Sequence, residues 1–241
     1  MDVIAVIPAR MGSTRFPGKP LVLLAGKPMV RWVYEAARKA KFPKAVFIAT
    51  PDEEILQAAK KFGAECIRTR SDHETGTDRI AEVAKLLGKA AYVNVQGDEP
   101  LIASETIDAC AEPLFHESRE MSSVYDWLTR EEENDSSVVK VVTDLEDCAL
   151  YFSRSLIPFR RAENNFPMKK HIGVYAYTSD ILEKFSRWEP TPLERAEKLE
   201  QLRFLEHGVK IQMSYARGTR VSVDTPEQAK IAENFLREVV S

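Results

Sequence analysis

Residues 2–7 form an apolar run rich in Val and Ile, too short for a helix, and a loop with three cations and no acid follows at once. This pairing constrains the fold more than any other feature of the chain. A run of that length and composition reads as a buried strand. The loop, residues 8–20, carries Arg10, Arg15 and Lys19. Cations held close together repel one another unless an anion joins them. Gly12 and Gly18 allow the backbone to approach such an anion closely. Loops at the carboxyl ends of strands are also where open α/β sheets bind ligands. The combination points to a polyphosphate. A GxxxxGK stretch followed by Ser or Thr is absent, so this is not the phosphate loop of the nucleoside-triphosphate hydrolases.

The first hundred residues continue as strand and helix in turn. The pattern predicts helices over 30–40, 53–62 and 77–87, and strands over 45–50, 64–68 and 91–95. Asp52 is placed to cap the second helix. Such alternation implies a parallel sheet with right-handed crossovers. The second half differs. Strands are expected over 138–143 and 149–153, with Glu146-Asp147 at a hairpin turn, and over 172–178 and 210–216. One helix is expected over 193–206, ended by Gly208. A strand reaching Asp224 and a helix opening at Pro226 close the chain. Residues 131–136 read as a solvated surface loop.

Composition limits what the basic loop means. Over 241 residues the net charge is -3, which argues against a general nucleic-acid or membrane-surface binder. The cations of the first loop are therefore a local concentration. At 44% hydrophobic and 29% charged residues, the chain can build a substantial core. Cys66, Cys110 and Cys148 lie far apart with no CxxC, so neither disulfides nor structural zinc are expected. No signal peptide or bilayer-length apolar stretch precedes the first strand. The expected setting is reducing and cytoplasmic.

Several polar positions carry two readings. Asp98, in Gln96-Gly97-Asp98-Glu99-Pro100, either makes a turn or holds magnesium together with phosphate oxygens. Asp224 either caps the last helix or supplies a second metal ligand. In residues 72–79, capping accounts for Thr75 or Thr77 but not for His73 or Arg79. The amides of that helix start could read a base or an acid group. His171 lies in an alternating aromatic strand and Glu200-Gln201 in an amphipathic helix, where packing alone could explain them.

Taken together, these segments resemble the 3-deoxy-manno-octulosonate (Kdo) cytidylyltransferase family. The motifs are Ile7-Pro8-Ala9-Arg10 with Gly18-Lys19-Pro20-Leu21, Gly76-Thr77-Asp78-Arg79, Gln96-Gly97-Asp98-Glu99-Pro100, Tyr151-Phe152-Ser153-Arg154 with Ile157-Pro158, His171-Ile172-Gly173-Val174-Tyr175, Leu199-Glu200-Gln201-Leu202-Arg203, and Val223-Asp224-Thr225-Pro226. They run from the first strand to the last helix. The first loop alone indicates only a nucleotidyltransferase. Ser222 departs from the pattern, since Gly is usual there. Residues 160–165 vary in such proteins and bear on the choice of sugar.

The resemblance implies an α/β fold: a mostly parallel, Rossmann-like central sheet with helices on both faces and a smaller antiparallel dimerisation subregion. It implies one domain over 1–241, with a nucleotide-binding part over 1–120, a sugar-binding and dimerisation part over 121–220, and a closing strand and helix over 221–241. The implied reaction joins CTP to Kdo, giving CMP-Kdo and diphosphate for lipopolysaccharide synthesis. Arg15, Lys19 and Asp98 would be catalytic. Pro8, Ala9, Arg10, Arg15, Lys19, His73 and Gly76 would bind the nucleotide. Arg79, Gln96, His171, Tyr175, Glu200 and Gln201 would bind the sugar acid. Asp98 and Asp224 would hold Mg2+. A homodimer is implied, with no nucleic-acid or membrane partner. An 8-amino sugar, sialic acid and a non-catalytic CTP-binding regulator remain alternatives at this point.

Overall fold

A computed structural model describes residues 1–12, 15–116, 119–162, 166–218 and 221–240, with residues 239 and 240 described by backbone alone. The chain opens with strand β1 (Val3–Pro8), two short strands β2 (Leu23–Leu24) and β3 (Lys27–Pro28), and helix α1 (Met29–Lys39). Next come β4 (Pro43–Thr50), α2 (Glu53–Lys61), β5 (Glu65–Arg68), α3 (Gly76–Leu87), β6 (Ala91–Asn94) and α4 (Ser104–Ala111). The second half contributes β7 (Met121–Trp127), β8 (Lys140–Thr143), β9 (Ala149–Ser153), β10 (Lys169–Thr178) and α5 (Ser179–Phe185). It ends with α6 (Pro192–Glu197), α7 (Gln201–Glu206), β11 (Ile211–Tyr215) and α8 (Pro226–Val240).

The main sheet runs β11-β7-β10-β6-β1-β4-β5. The pairs β6-β1, β1-β4 and β4-β5 are parallel, as strand-helix alternation requires. β10 enters antiparallel between β6 and β7. The hairpin β8-β9 pairs with the start of β10 and makes the small antiparallel part. Side chains alternate across the sheet: Ala5, Ile7, Val46 and Ile48 face α1, α2 and α4, whereas Val6, Ala49 and Tyr92 face α3, α5 and α7. A third cluster lays Ala229, Ala232 and Leu236 of α8 on Leu24 and Met29.

Four sequence expectations are corrected. β7 was not anticipated, because Ser122 and Ser123 occupy fully buried positions in it. They are accommodated by hydrogen bonds, Ser122 Oγ to the Cys110 carbonyl at 2.5 Å and Ser123 Oγ to the Val174 carbonyl at 2.7 Å. The helix expected over 193–206 is two helices, broken where Lys198 takes φ 55°. No strand forms over 221–224, since the Val223 amide is spent on the Asp98 carbonyl rather than on a ladder. Asp52 stands at the start of α2 without capping it; its Oδ2 accepts from the Met11 amide at 2.7 Å instead.

The α6–α7 break is held by a buried ion pair. Arg203 Nε and Nη2 donate to Glu194 Oε2 and Oε1 at 2.7 and 2.6 Å. Removing one partner strands a buried charge. Glu194→Ala should therefore lower the unfolding free energy by about 3–5 kcal/mol in urea denaturation. A loss under about 1 kcal/mol, the range of an exposed pair, would contradict this packing role.

Candidate active site

The carboxyl ends of β1 and β6 open into a cleft of about 390 Å³. The first loop forms one wall. It closes on itself where the Gly18 amide donates to the Met11 carbonyl, with Gly18 at φ 71°, a left-handed conformation that favours glycine. Asp52 anchors the other end of the turn through the Met11 amide. The loop after β6 passes directly beneath. A Cβ on Gly97 would lie 2.9 Å from the Pro8 carbonyl oxygen, so this crossing requires glycine.

Charge in the cleft is organised around Lys19. Its Nζ donates to Asp98 Oδ2 at 2.8 Å and to Asp224 Oδ1 at 3.0 Å, and Arg15 pairs with Asp224 Oδ2 at 3.0 Å. Desolvation pulls the Lys19 pKa down, but the two carboxylates outweigh it and hold the ammonium above its ordinary value. Asp224 is free for this because it is not the cap of α8. Thr225 is: its Oγ1 accepts from the Gln228 amide while Gln228 Oε1 accepts from the Thr225 amide, a reciprocal capping box. Ser222 has no positive φ, so the backbone beside Asp224 accommodates a side chain there.

Two other cations in the cleft have no such neutralisation. Among the described residues, neither Arg10 nor Arg79 forms an ion pair, and Arg79 is only 3% exposed. Arg79 Nη1 donates to Thr69 Oγ1 and, at 3.0 Å, to the Arg70 carbonyl. Burial and then the nearby Arg10 charge pull its pKa below the ordinary guanidinium value. An anion placed between these two would relieve both effects. His73 lines the same cleft and is fixed from behind, with Nε2 2.5 Å from Glu82 Oε2.

The site residues expected from sequence therefore divide into two groups. Pro8, Ala9, Arg10, Arg15, Lys19, His73, Gly76, Arg79, Gln96, Asp98 and Asp224 share the cleft. His171, Tyr175, Glu200 and Gln201 form a separate cluster on β10 and at the start of α7, outside the cleft lining. The cluster adjoins the cleft through β6, where Tyr175 is in register with Asn94, and through Thr77, next to Gly76. Sequence reasoning missed Asp52 and Glu82, which brace the cleft, and Ser123, which braces the cluster. Asp52 was legible as an acid at a strand's carboxyl end. Glu82 and Ser123 carry no local signal.

A register shift in β10 shapes the cluster. His171 and Ile172 pair with Tyr125 and Val124, but the next partner, Ser123, falls opposite Tyr175, leaving Gly173 and Val174 as a bulge. The shift sets the His171 and Tyr175 rings 5.2 Å apart. Because the single Ser123 proton goes to Val174, the 2.9 Å contact with His171 Nε2 is a donation by the ring. Tyr175 donates its hydroxyl to Gln201 Oε1 at 3.2 Å, and burial pushes that phenol far above its ordinary range.

Burial also keeps His171 neutral, lowering its pKa from the ordinary 6.5 to about 3. An unfolded histidine takes up a proton as pH falls through 6.5, while the folded one does so only near 3. The unfolded state therefore binds more protons between these values, and stability falls as pH drops through that window. His171→Gln should flatten the acid side of the Tm–pH profile. An unchanged slope between pH 6 and 4 would show that His171 is not held neutral.

Comparison with known proteins shows the family. A cytidylyltransferase family model matches residues 4–211. The 3-deoxy-manno-octulosonate cytidylyltransferase of Pelobacter propionicus is 45% identical and covers 100% of both chains. That of Geobacter sulfurreducens is also 45% identical, over 94% of this chain and 96% of the relative. A solved structure of CMP:2-keto-3-deoxy-manno-octonic acid synthetase complexed with CTP superposes with a TM-score of 0.96 at 37% identity, covering 99% of each chain. Full-length similarity at this level, in a chain whose cleft gathers its basic first loop with Asp98 and Asp224, means that the chain belongs to the 3-deoxy-manno-octulosonate cytidylyltransferase family.

Proposed function

We propose that the protein catalyses CTP + 3-deoxy-manno-octulosonate → CMP-Kdo + diphosphate, supplying an activated sugar for lipopolysaccharide synthesis. The observation that carries this reading is one cleft holding four cations beside two paired acids, in a chain of this family. The relative solved with CTP supports the nucleotide, and the relatives' names support the sugar. In the reaction the 2-hydroxyl oxygen of the sugar attacks the α-phosphorus. The bond from that phosphorus to the bridging oxygen breaks, and diphosphate leaves with the electron pair. The hydroxyl proton passes to solvent. No covalent enzyme intermediate is needed, so positioning and charge stabilisation do the work.

The residues divide the task by charge. Lys19 and Arg15 would turn from the acids toward the phosphates and stabilise charge on the departing diphosphate. Arg10 and Arg79 stand ready for anionic groups without breaking an ion pair. Asp98 and Asp224 are a hard-oxygen pair suited to magnesium. Among the described residues no group of three or more acidic, His or Cys side chains could hold a metal unaided, so phosphate oxygens would complete the shell, which is the usual habit of that ion. Bound there, magnesium would neutralise the triphosphate and polarise its α-phosphoryl group. His171, Tyr175, Glu200 and Gln201 would meet the sugar acid from the adjoining cluster.

Two broader features belong to the same reading. A homodimer is supported by the exposed apolar side chains Leu145 and Leu150 on the β8–β9 hairpin. A cytoplasmic setting is supported by three free cysteines. Among the described residues no helix is long and apolar enough to cross a membrane.

The deciding experiment is diphosphate release from CTP, UTP and GTP with Kdo, its 8-amino analogue and sialic acid. CTP with Kdo should be the best pair, and no release from it would overturn the reading. Asp98→Ala should lower turnover by orders of magnitude with the fold intact; near-normal rates at saturating magnesium would remove Asp98 from the site. Lys19→Ala should cost about 10²–10³ in kcat, as loss of one charge-stabilising donor does. Unchanged kinetics would remove the first loop from the phosphate site.

A further inference from the structure

Glu200, just before α7, has one carboxyl oxygen satisfied and the other not. Oε1 accepts a hydrogen bond from the Thr77 hydroxyl. Oε2 is buried and has no partner among the described residues, the nearby Thr75 hydroxyl being spent on Asp78 Oδ2 at 2.9 Å. No cation pairs with it, and Arg203, three residues on, is committed to Glu194. Native structures rarely leave a buried polar atom unpaired without a reason. Burial pushes the Glu200 carboxyl above its ordinary range. As a carboxylate, Oε2 lacks a donor; as an acid, it lacks an acceptor. A hydroxyl group satisfies either state, whereas a phosphate oxygen satisfies only the acid and an ammonium only the carboxylate. A sugar hydroxyl is a group that meets this requirement.

Thr77 orients that carboxyl. It is 1% exposed and sits in the first turn of α3, beside Gly76, which lines the nucleotide cleft. Helix capping does not employ it, because Thr75 and Asp78 form the capping box. Its hydroxyl lies 3.3 Å from the Tyr177 hydroxyl. Burial keeps that phenol protonated, so Tyr177 donates to Thr77 and Thr77 donates to Glu200. With Glu200 ionised the relay runs toward it, ending on the carboxyl whose other oxygen is unpartnered.

We propose that Thr77 is a positioning residue for the sugar substrate: its hydroxyl fixes the Glu200 carboxyl so that Oε2 receives a sugar hydroxyl, tying the nucleotide-side start of α3 to the sugar-side start of α7. This rests on the proposed function, in which Glu200 meets the sugar acid. Thr77→Val removes the hydroxyl while keeping the branched shape. Steady-state kinetics, varying each substrate separately, should show KM for the sugar acid raised about tenfold to a hundredfold, the worth of one hydrogen bond to a charged group. KM for CTP should stay within about twofold, and Thr77→Ser should recover most of the loss. In the double variant Thr77→Val, Glu200→Gln, the losses should not add, because both act at one carboxyl.

A fall in Tm with both KM values unchanged, additive losses, or no rescue by serine would overturn the assignment. Wild-type turnover with Kdo is the control. Its failure would sink the substrate reading, and the same comparison would then be made with whichever sugar acid the wild-type enzyme accepts. Variants that match a working wild type sink Thr77 alone.

Discussion

The Lys19 ammonium, held between Asp98 and Asp224 at 2.8 and 3.0 Å, is the contact on which the site depends. It joins three segments far apart in sequence: the first loop, the end of the central strand β6, and the entry to the last helix. Each partner is prepared separately. Gly18 closes the loop that carries Lys19. Gly97 lets the Asp98 turn pass under Pro8. The Thr225–Gln228 capping box relieves Asp224 of helix duty, and the Val223 amide locks that segment to the Asp98 carbonyl. Repulsion between Arg15 and Lys19 is thereby answered in the free protein by two acids.

That arrangement has a consequence for function. Acids that neutralise the cations in the free protein must give them up when a polyphosphate arrives, and each then needs a new cation. On the proposed function, a divalent ion travelling with the nucleotide would supply it, and one set of ion pairs would be exchanged for another. Arg10 and Arg79, which have no acid to leave, add a fixed positive background.

The sheet's parallel part was legible because β1 and β6 are short apolar runs buried on both faces, and β4 and β5 alternate with helices of regular period. The cleft residues were legible because cations, glycines and strand-end acids are unusual in such places. What escaped was set by distant partners. β7 hides behind Ser122 and Ser123, whose hydroxyls are satisfied by carbonyls elsewhere in the chain. The break at Lys198 leaves no mark on an amphipathic pattern that continues across it. Asp52 looks like a cap in sequence and braces the first loop in three dimensions. Residues 163–165, within the stretch expected to bear on sugar choice, lie outside the described residues.

The exchange of ion pairs is tested most directly by CTP binding to the double variant Asp98→Asn, Asp224→Asn, measured calorimetrically with and without magnesium. Removing both acids frees Lys19 and Arg15 and deletes two negative charges from the cleft. The account predicts tighter CTP binding than wild type in chelator, and no further gain when magnesium is added. Weaker binding in chelator, or a magnesium-dependent gain equal to that of the wild type, would contradict it.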